Sequence, residues 1–341
     1  MSHIRDALRQ FTAKLPHMND ADGNLVAARC RQCAPAAMMI RPAAFGWNVE
    51  TSDSNRFQAR TAPSDPGLAA AALVEFDEAV AALRGAGVVI HAMDDRPEPR
   101  CPDAVFPNNW VSFHDDGTVV LYPMLAPTRR RERRPELLQS LVLDGSYSVA
   151  RLLDLSHHEL SGRFLEGTGS VVFDHVARVA YACLSPRTHA EVLGELVGEL
   201  DYETCVFAAS GRDGAAVYHT NVLLAIGARF AVICSGSIDV DDRDGVLRRL
   251  DASGRRVVDI GYESLEAFAG NMLELRASDG TSVLAMSAQA RGALAAAQFD
   301  ALASYVDRVV VTPLARIEAA GGGSLRCMLA EVFLPRRRPQ S

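Results

Sequence analysis

The feature that most restricts the fold is a repeat. From residue 103 onward the chain passes four times through a hairpin, a helix and a further strand. The first pass reads as strand 109–113, the turn Asp115-Asp116-Gly117, strand 118–122, a helix near 133–142 and strand 147–153. The second has strands 170–173 and 178–184, helix 187–199 and strand 203–208. The third has strand 217–225, the Gly227-Ala228 turn, strand 229–234, helix 241–251 and strand 255–259. The fourth has strand 271–275, the Asp279-Gly280 turn, strand 281–286, helix 289–304 and strand 308–311. Residues 37–91 form another unit, with strand Ala37 to Ile40, a polar loop at 46–56, a helix at 67–85 and strand 88–90, and strand 327–333 lies beyond the last unit. Short apolar runs mark the strands, helical spacing such as Leu68, Val74, Phe76, Val80 and Leu83 marks the helices, and Asx-Gly turns mark the hairpins. A period of roughly 45–50 residues means a radial or stacked array rather than one open sheet. If five such units close into a ring, strand 327–333 pairs back into the first unit, and closure leaves no exposed sheet edge.

Closure would also gather the starts of the first strands at one axial mouth. Those corners are Asn108-Asn109, Glu166-Gly167-Thr168, His219-Thr220-Asn221, Gly270-Asn271 and Gly323 to Cys327. Each is polar or glycine at the entry to an apolar strand, and convergent polar groups around an axis make a pocket. Gly321-Gly322-Gly323 lets the backbone approach a ligand closely just before Cys327. A lone cysteine is ordinarily a small buried apolar residue, so a nucleophile needs a base and an orienting partner nearby. His219 titrates in the range a base requires, and Glu166 could align it. His114, the pair His157-His158 and His175 are weaker candidates, because they fall in loops or after strands.

Bulk properties exclude several classes. A chain of 341 residues with 48% hydrophobic and 23% charged residues is ordinary for a soluble enzyme with a sizeable core. A net charge of −7 attracts neither nucleic acid nor anionic membrane. No apolar run approaches the about 18 residues of a membrane span, and the start lacks a signal core, so a cytoplasmic protein is expected. Seven scattered cysteines suit a reducing compartment. Cys30 and Cys33 form a C-x-x-C, but neither a second pair nor matching histidines lie nearby, and no metal is expected there. Residues 1–34 read as a polar N-terminal extension, 35–335 as one catalytic domain and 336–341 as a basic tail.

Cys327 behind Gly-Gly-Gly-Ser, His219 in H-x-N, Glu166 in L-E-G and the corner Phe106-Pro107-Asn108-Asn109 together resemble the guanidino-group-modifying superfamily. That group includes arginine deiminases, dimethylarginine hydrolases, amidinotransferases and succinylarginine dihydrolases. The resemblance covers about residues 36–335. It implies a five-bladed α/β propeller, covalent cysteine catalysis by Cys327, His219 and Glu166, and no cofactor. Arginine deiminases carry carboxylates at the positions of Asn109 and Asn221, where they grip a guanidinium, and a further acid is lost in Leu165-Glu166-Gly167-Thr168-Gly169. A buried carboxylate facing a neutral ligand would be an unpaired charge costing about 3–5 kcal/mol, whereas an asparagine both donates and accepts. The swap suits a neutral ureido group. The stretches Phe106 to His114 and Leu121 to Met124 resemble bacterial citrulline-utilisation hydrolases.

In Pro123-Met124-Leu125-Ala126-Pro127-Thr128-Arg129 the resemblance implies that Arg129 clamps a substrate α-carboxylate, while Arg130 to Arg134 and the tail arginines read as solvated. Asn108 and Thr168, at the same corners, complete the expected substrate-binding set. The expected reaction is cleavage of the ureido group of citrulline or a relative to ornithine, carbon dioxide and ammonia through a thiocarbamate on Cys327. One alternative is a guanidino hydrolase or amidinotransferase with Glu166 or Asp103 as the anion. Another is a non-catalytic propeller that binds a partner protein, as translation initiation factor 6 does. The expected partner is a small amino-acid substrate, and a homodimer is left open.

Overall fold

The computed structural model describes residues 31–59, 65–143 and 146–337. Most of the expected N-terminal extension, Cys30 included, and the last residues of the basic tail lie outside them. The fold is α/β, built from five small sheets of three strands each. The strands are β1 (Ala36–Arg41), β2 (Val89–Asp94), β3 (Val111–Phe113), β4 (Thr118–Leu121), β5 (Arg151–Asp154), β6 (Val172–Asp174), β7 (Val179–Cys183) and β8 (Glu203–Phe207). They continue with β9 (Leu224–Ile226), β10 (Phe230–Ile233), β11 (Arg256–Asp259), β12 (Leu273–Arg276), β13 (Ser282–Ser287), β14 (Arg308–Thr312) and β15 (Ala330–Glu331). In four sheets an antiparallel hairpin is followed, through a helix, by a parallel third strand: β3-β4-β5, β6-β7-β8, β9-β10-β11 and β12-β13-β14. The sheet of β1 and β2 takes its antiparallel strand from the far end of the chain, with Ala37 opposite Glu331 and Met38 opposite Ala330.

Consecutive sheets share apolar side chains. Met38 of β1 and Val111 of β3 lie in one buried apolar cluster, Val120 of β4 and Phe173 of β6 in a second, Tyr181 of β7 and Leu224 of β9 in a third, and Met39 of β1 and Leu275 of β12 in a fourth. The helix Pro66–Gly85 shows how the sequence specifies an element. Asp65 caps its first two amide groups, proline occupies its first position, and Leu68, Ala72, Phe76, Ala79, Val80 and Leu83 bury one stripe. Among the described residues no helix is long and apolar enough to cross a membrane.

Three differences from the sequence reading bear on the site. The strands expected at 109–113, 170–173, 217–225 and 327–333 are shorter than their apolar runs, because their first residues are single helical turns at Pro107–Asn109, Gly167–Ser170, Thr220–Leu223 and Leu325–Met328. Short polar side chains there bond across to other segments, which competes with a sheet ladder. The Thr220 hydroxyl, for example, donates to Ser170 O at 2.5 Å and accepts from the Cys183 amide at 2.8 Å. The helix expected at 289–304 is two, Ala288–Ala293 and Ala296–Ala303, and a further helix, Ala315–Gly321, leads into the glycine loop. Finally, Gln32, Cys33 and Ala34, expected to close a polar extension, are buried. The Gln32 amide donates to Phe173 O and Ile226 O and accepts from the His175 amide, which ties the segment between two sheets.

Candidate active site

The helical turns place the corner side chains on one another. Asn271 Nδ2 donates to Asn221 O at 3.0 Å, Thr220 Oγ1 to Ser170 O, and Thr168 Oγ1 to Asn108 O at 3.4 Å. The Asn271 amide also reaches Cys327 Sγ at 3.3 Å, and Asn221 Nδ2 reaches it at 3.5 Å. Two amide donors therefore converge on one sulfur, where they would stabilise a thiolate.

His219 and Glu166 are both buried, and His219 Nε2 lies 2.9 Å from Glu166 Oε2. A carboxylate only accepts, so Nε2 carries the proton and Nδ1 keeps the lone pair. Nδ1 faces Gly169, where a Cβ would come within 2.7 Å of it and would also collide with Asn109 Nδ2. Burial pushes the His219 imidazole down to about 4 against the pull of Glu166, so the ring is neutral at pH 7 and free to take a proton. For Glu166 burial works upward, but Arg187, the His219 hydrogen bond and Arg129 outweigh it and hold the carboxyl well below the usual range. Glu166 Oε1 accepts in addition from the Leu125 amide at 3.1 Å.

Cys327, His219, Asn109, Arg129 and Arg187 line one pocket together with Asp103, Phe106, Tyr218, Thr51 and Asn55. In this conformation it holds only about 10 Å³ of free space, room for a single water. The glycine loop is anchored at its edge. Tyr218 donates its hydroxyl hydrogen to Gly322 O at 2.6 Å, Asn55 Nδ2 reaches Gly321 O and Gly322 O at 3.2 Å, and Phe106 lies where a Cβ on Gly321 would stand 2.8 Å away. A larger cavity of about 470 Å³ shares Tyr218 as a wall and is lined by Phe57, Phe268 and Glu318. It holds neither the cysteine nor the histidine.

Arg129 is already paired in this conformation. Nε and Nη2 each lie 3.0 Å from the Glu132 carboxylate, and Nη1 donates to Asn109 Oδ1 at 2.9 Å. Burial opposes its charge, but Glu132, Asp103 and Glu166 keep it protonated. One edge of its fork is thus taken by Glu132, while the side chain still lines the pocket. Thr168, Asn108 and Asn221 do not line the closed pocket, and the Thr168 hydroxyl is tied to Asn108 O.

The sequence reading left Arg187 out of the site. It lies in Leu184-Ser185-Pro186-Arg187-Thr188 and donates through Nη1 to Glu166 at 3.3 Å and through Nη2 to Ser54 Oγ at 2.7 Å and Thr51 O at 3.2 Å. The sequence reading had put it in the first turn of a helix, where an arginine is normally solvated. Asn271, which figured only as a corner residue, proves to touch the sulfur. Among the described residues, five buried polar atoms of the corners have no hydrogen-bond partner: Asn109 Nδ2, Asn221 Oδ1, Asp103 Oδ1 and both amide atoms of Asn108.

A cysteine, a neutral histidine on a carboxylate and convergent amides on an α/β frame of small sheets agree with the guanidino-group-modifying superfamily. Residues 41–334 match the model of the family "N,N dimethylarginine dimethylhydrolase, eukaryotic", and the chain belongs to that family. Among curated proteins nothing matches. Solved structures agree in fold. An arginine dihydrolase of the ornithine-ammonia cycle in Cyanobacteria, ArgZ in its apo form, superposes with a TM-score of 0.68 at 16% identity over 88% of this chain and 41% of its own. An AgrE mutant in complex with L-arginine gives 0.69 at 18% identity, over 89% of this chain and 41% of its own. This chain thus spans about two fifths of those proteins. A dimethylarginine dimethylaminohydrolase adduct with S-methyl-L-thiocitrulline gives 0.58 at 16% identity, over 89% of this chain and all (100%) of its own.

Proposed function

We propose that the five sheets are the blades of one α/β propeller, that residues 35–335 form a single catalytic unit, and that its axial pocket hydrolyses the ureido group of citrulline or a close relative. The observation that carries this reading is the pair of open amide atoms. Asn109 offers a donor, Nδ2, and Asn221 an acceptor, Oδ1, each buried with no partner. A ureido group needs one donor for its oxygen and one acceptor for its amino group. Leaving either atom empty costs about 1–3 kcal/mol, which a matching ligand recovers.

In this reading Cys327 Sγ attacks the ureido carbon, held by the amides of Asn221 and Asn271. Neutral His219 takes the thiol proton at Nδ1 and returns it to the departing nitrogen, while Glu166 supports the imidazolium between the two transfers. Water, deprotonated by His219, then cleaves the thiocarbamate, and the products are ornithine, carbon dioxide and ammonia. Entry needs the segment at 46–58 to move, because Thr51 and Asn55 line so small a pocket. That movement would release Ser54 from Arg187, which would then be free to take the substrate carboxylate in place of Arg129.

A second reading, hydrolysis of arginine or a methylated arginine, is favoured by Asp103, whose buried Oδ1 has no partner and lines the same pocket. It would receive a guanidinium or an ammonium. What ArgZ and dimethylarginine dimethylaminohydrolase act on, as their names state, falls in this class. Ammonia release measured side by side from citrulline, arginine and dimethylarginine separates the readings. Turnover of citrulline with little from the cationic substrates supports the first, and the reverse order overturns it.

A further inference from the structure

The 3₁₀ turn Ser156–Ser161 and the helix Ala190–Leu200 carry a group of side chains that the pocket does not use. His158 Nε2 lies 2.7 Å from Glu195 Oε2, and His157 Nε2 lies 4.0 Å from the same oxygen. The two imidazole centroids are 4.2 Å apart. One ligand atom from each of the three residues lies within 4.8 Å of the other two, the single such trio of His, Cys, Asp or Glu among the described residues. We propose that His157, His158 and Glu195 form a binding site for a divalent transition-metal ion that prefers imidazole nitrogen and carboxylate oxygen, as zinc does.

An ordinary ion pair would need only His158. The orientation of His157 is what points to a metal. Its Nδ1 lies 3.1 Å from Asp154 O, and a carbonyl only accepts, so Nδ1 holds a proton and Nε2 is the nitrogen turned toward Glu195. A cation bound between Nε2 and the carboxylate oxygen would bridge the 4.0 Å that separates them. A hydrogen bond from the far nitrogen to a carbonyl is also the device that orients metal-bound imidazoles. With metal–ligand bonds near 2.1 Å, neighbouring ligand atoms in a tetrahedral site stand roughly 3.4 Å apart. The present separations of 2.7 and 4.0 Å straddle that value. The side chains that must shift are free to do so, since those of His157 and Glu195 are 48% and 38% exposed. On binding, the ion replaces the proton that His158 shares with Glu195, and a fourth position remains for water.

The ion would tie together two segments that frame the pocket. The turn runs on toward Glu166 and the helix follows Arg187, and the two strands of chain are already joined by the Glu166 amide donating to Arg187 O at 3.2 Å.

The test uses the full chain as Cys327→Ser, which removes the pocket thiol, titrated with Co²⁺ and Zn²⁺. One ion per chain is expected, with cobalt d–d absorption, no thiolate charge-transfer band, and a melting temperature that rises with metal concentration. Placing His157→Ala or Glu195→Gln in this background should weaken binding at least about tenfold while leaving the metal-free melting temperature nearly unchanged. Absence of binding, binding in the two variants as tight as in the parent, or a thiolate band that moves the ion to a cysteine would overturn the proposal.

Discussion

Glu166 Oε2 receives two buried donors at once, His219 Nε2 at 2.9 Å and Arg187 Nη1 at 3.3 Å. The carboxylate is therefore charged whether or not the histidine is, and the histidine has a fixed tautomer.

This relationship sets the pH behaviour. The His219 imidazole is pushed down to about 4 from an unfolded value near 6.5. Between those two values the unfolded chain binds the extra proton, so stability rises with pH and is fully regained above about 6.5. As the pH falls from about 6.5 to about 4 this one group should remove about 3 kcal/mol, with no further loss below, as read from urea unfolding at a series of pH values. The acid limb of kcat/KM should fall near pH 4. An acid limb near 6.5 would mean that the ring is solvated.

Replacing the sulfur tests covalency. Cys327→Ser should lower ammonia release by about a thousandfold or more and should block modification by a haloacetamidine. Asn271→Ala, which removes one of the two amides at the sulfur, should lower kcat about tenfold to a hundredfold with a smaller change in KM. Activity near that of the parent in the serine variant would rule out a thiocarbamate.

Substrate charge is tested at the two asparagines. Asn109→Asp loses the open donor while keeping an acceptor for Arg129, and Asn221→Asp places a carboxylate beside the sulfur. Each should cost citrulline turnover about tenfold to a hundredfold and shift the ratio of kcat/KM toward arginine. An unchanged ratio in both variants would show that these amides do not read the ligand.

Gly169→Ala is an inconspicuous substitution with a large expected effect. The added methyl would stand 2.7 Å from His219 Nδ1, so the ring must swing or the corner must open. A loss of kcat of about a hundredfold is expected, with circular dichroism retained. Full activity would place the reactive nitrogen elsewhere.

Much of the frame was legible in the sequence. Short apolar runs such as Thr118 to Leu121 and Val179 to Cys183, Asx-Gly turns and one-sided helices such as Pro66–Gly85 are local patterns set by neighbours a few residues away. The same patterns misled at the corners. Val222 and Leu223 are as apolar as strand residues, yet they turn because Thr220 bonds to Ser170 and Cys183, partners remote in sequence.

Residue type and spacing alone singled out a thiol, an imidazole and a carboxylate as candidates, because each carries its chemistry in one side chain. Which partners each guanidinium meets was decided only by folding. Arg129 meets Glu132 within one short turn, whereas Arg187 meets Ser54 and Thr51 from more than a hundred residues away. Whether an amide is satisfied or left open is likewise a property of what packs against it, and Asn109 and Asn221 acquire their open atoms only when distant corners converge.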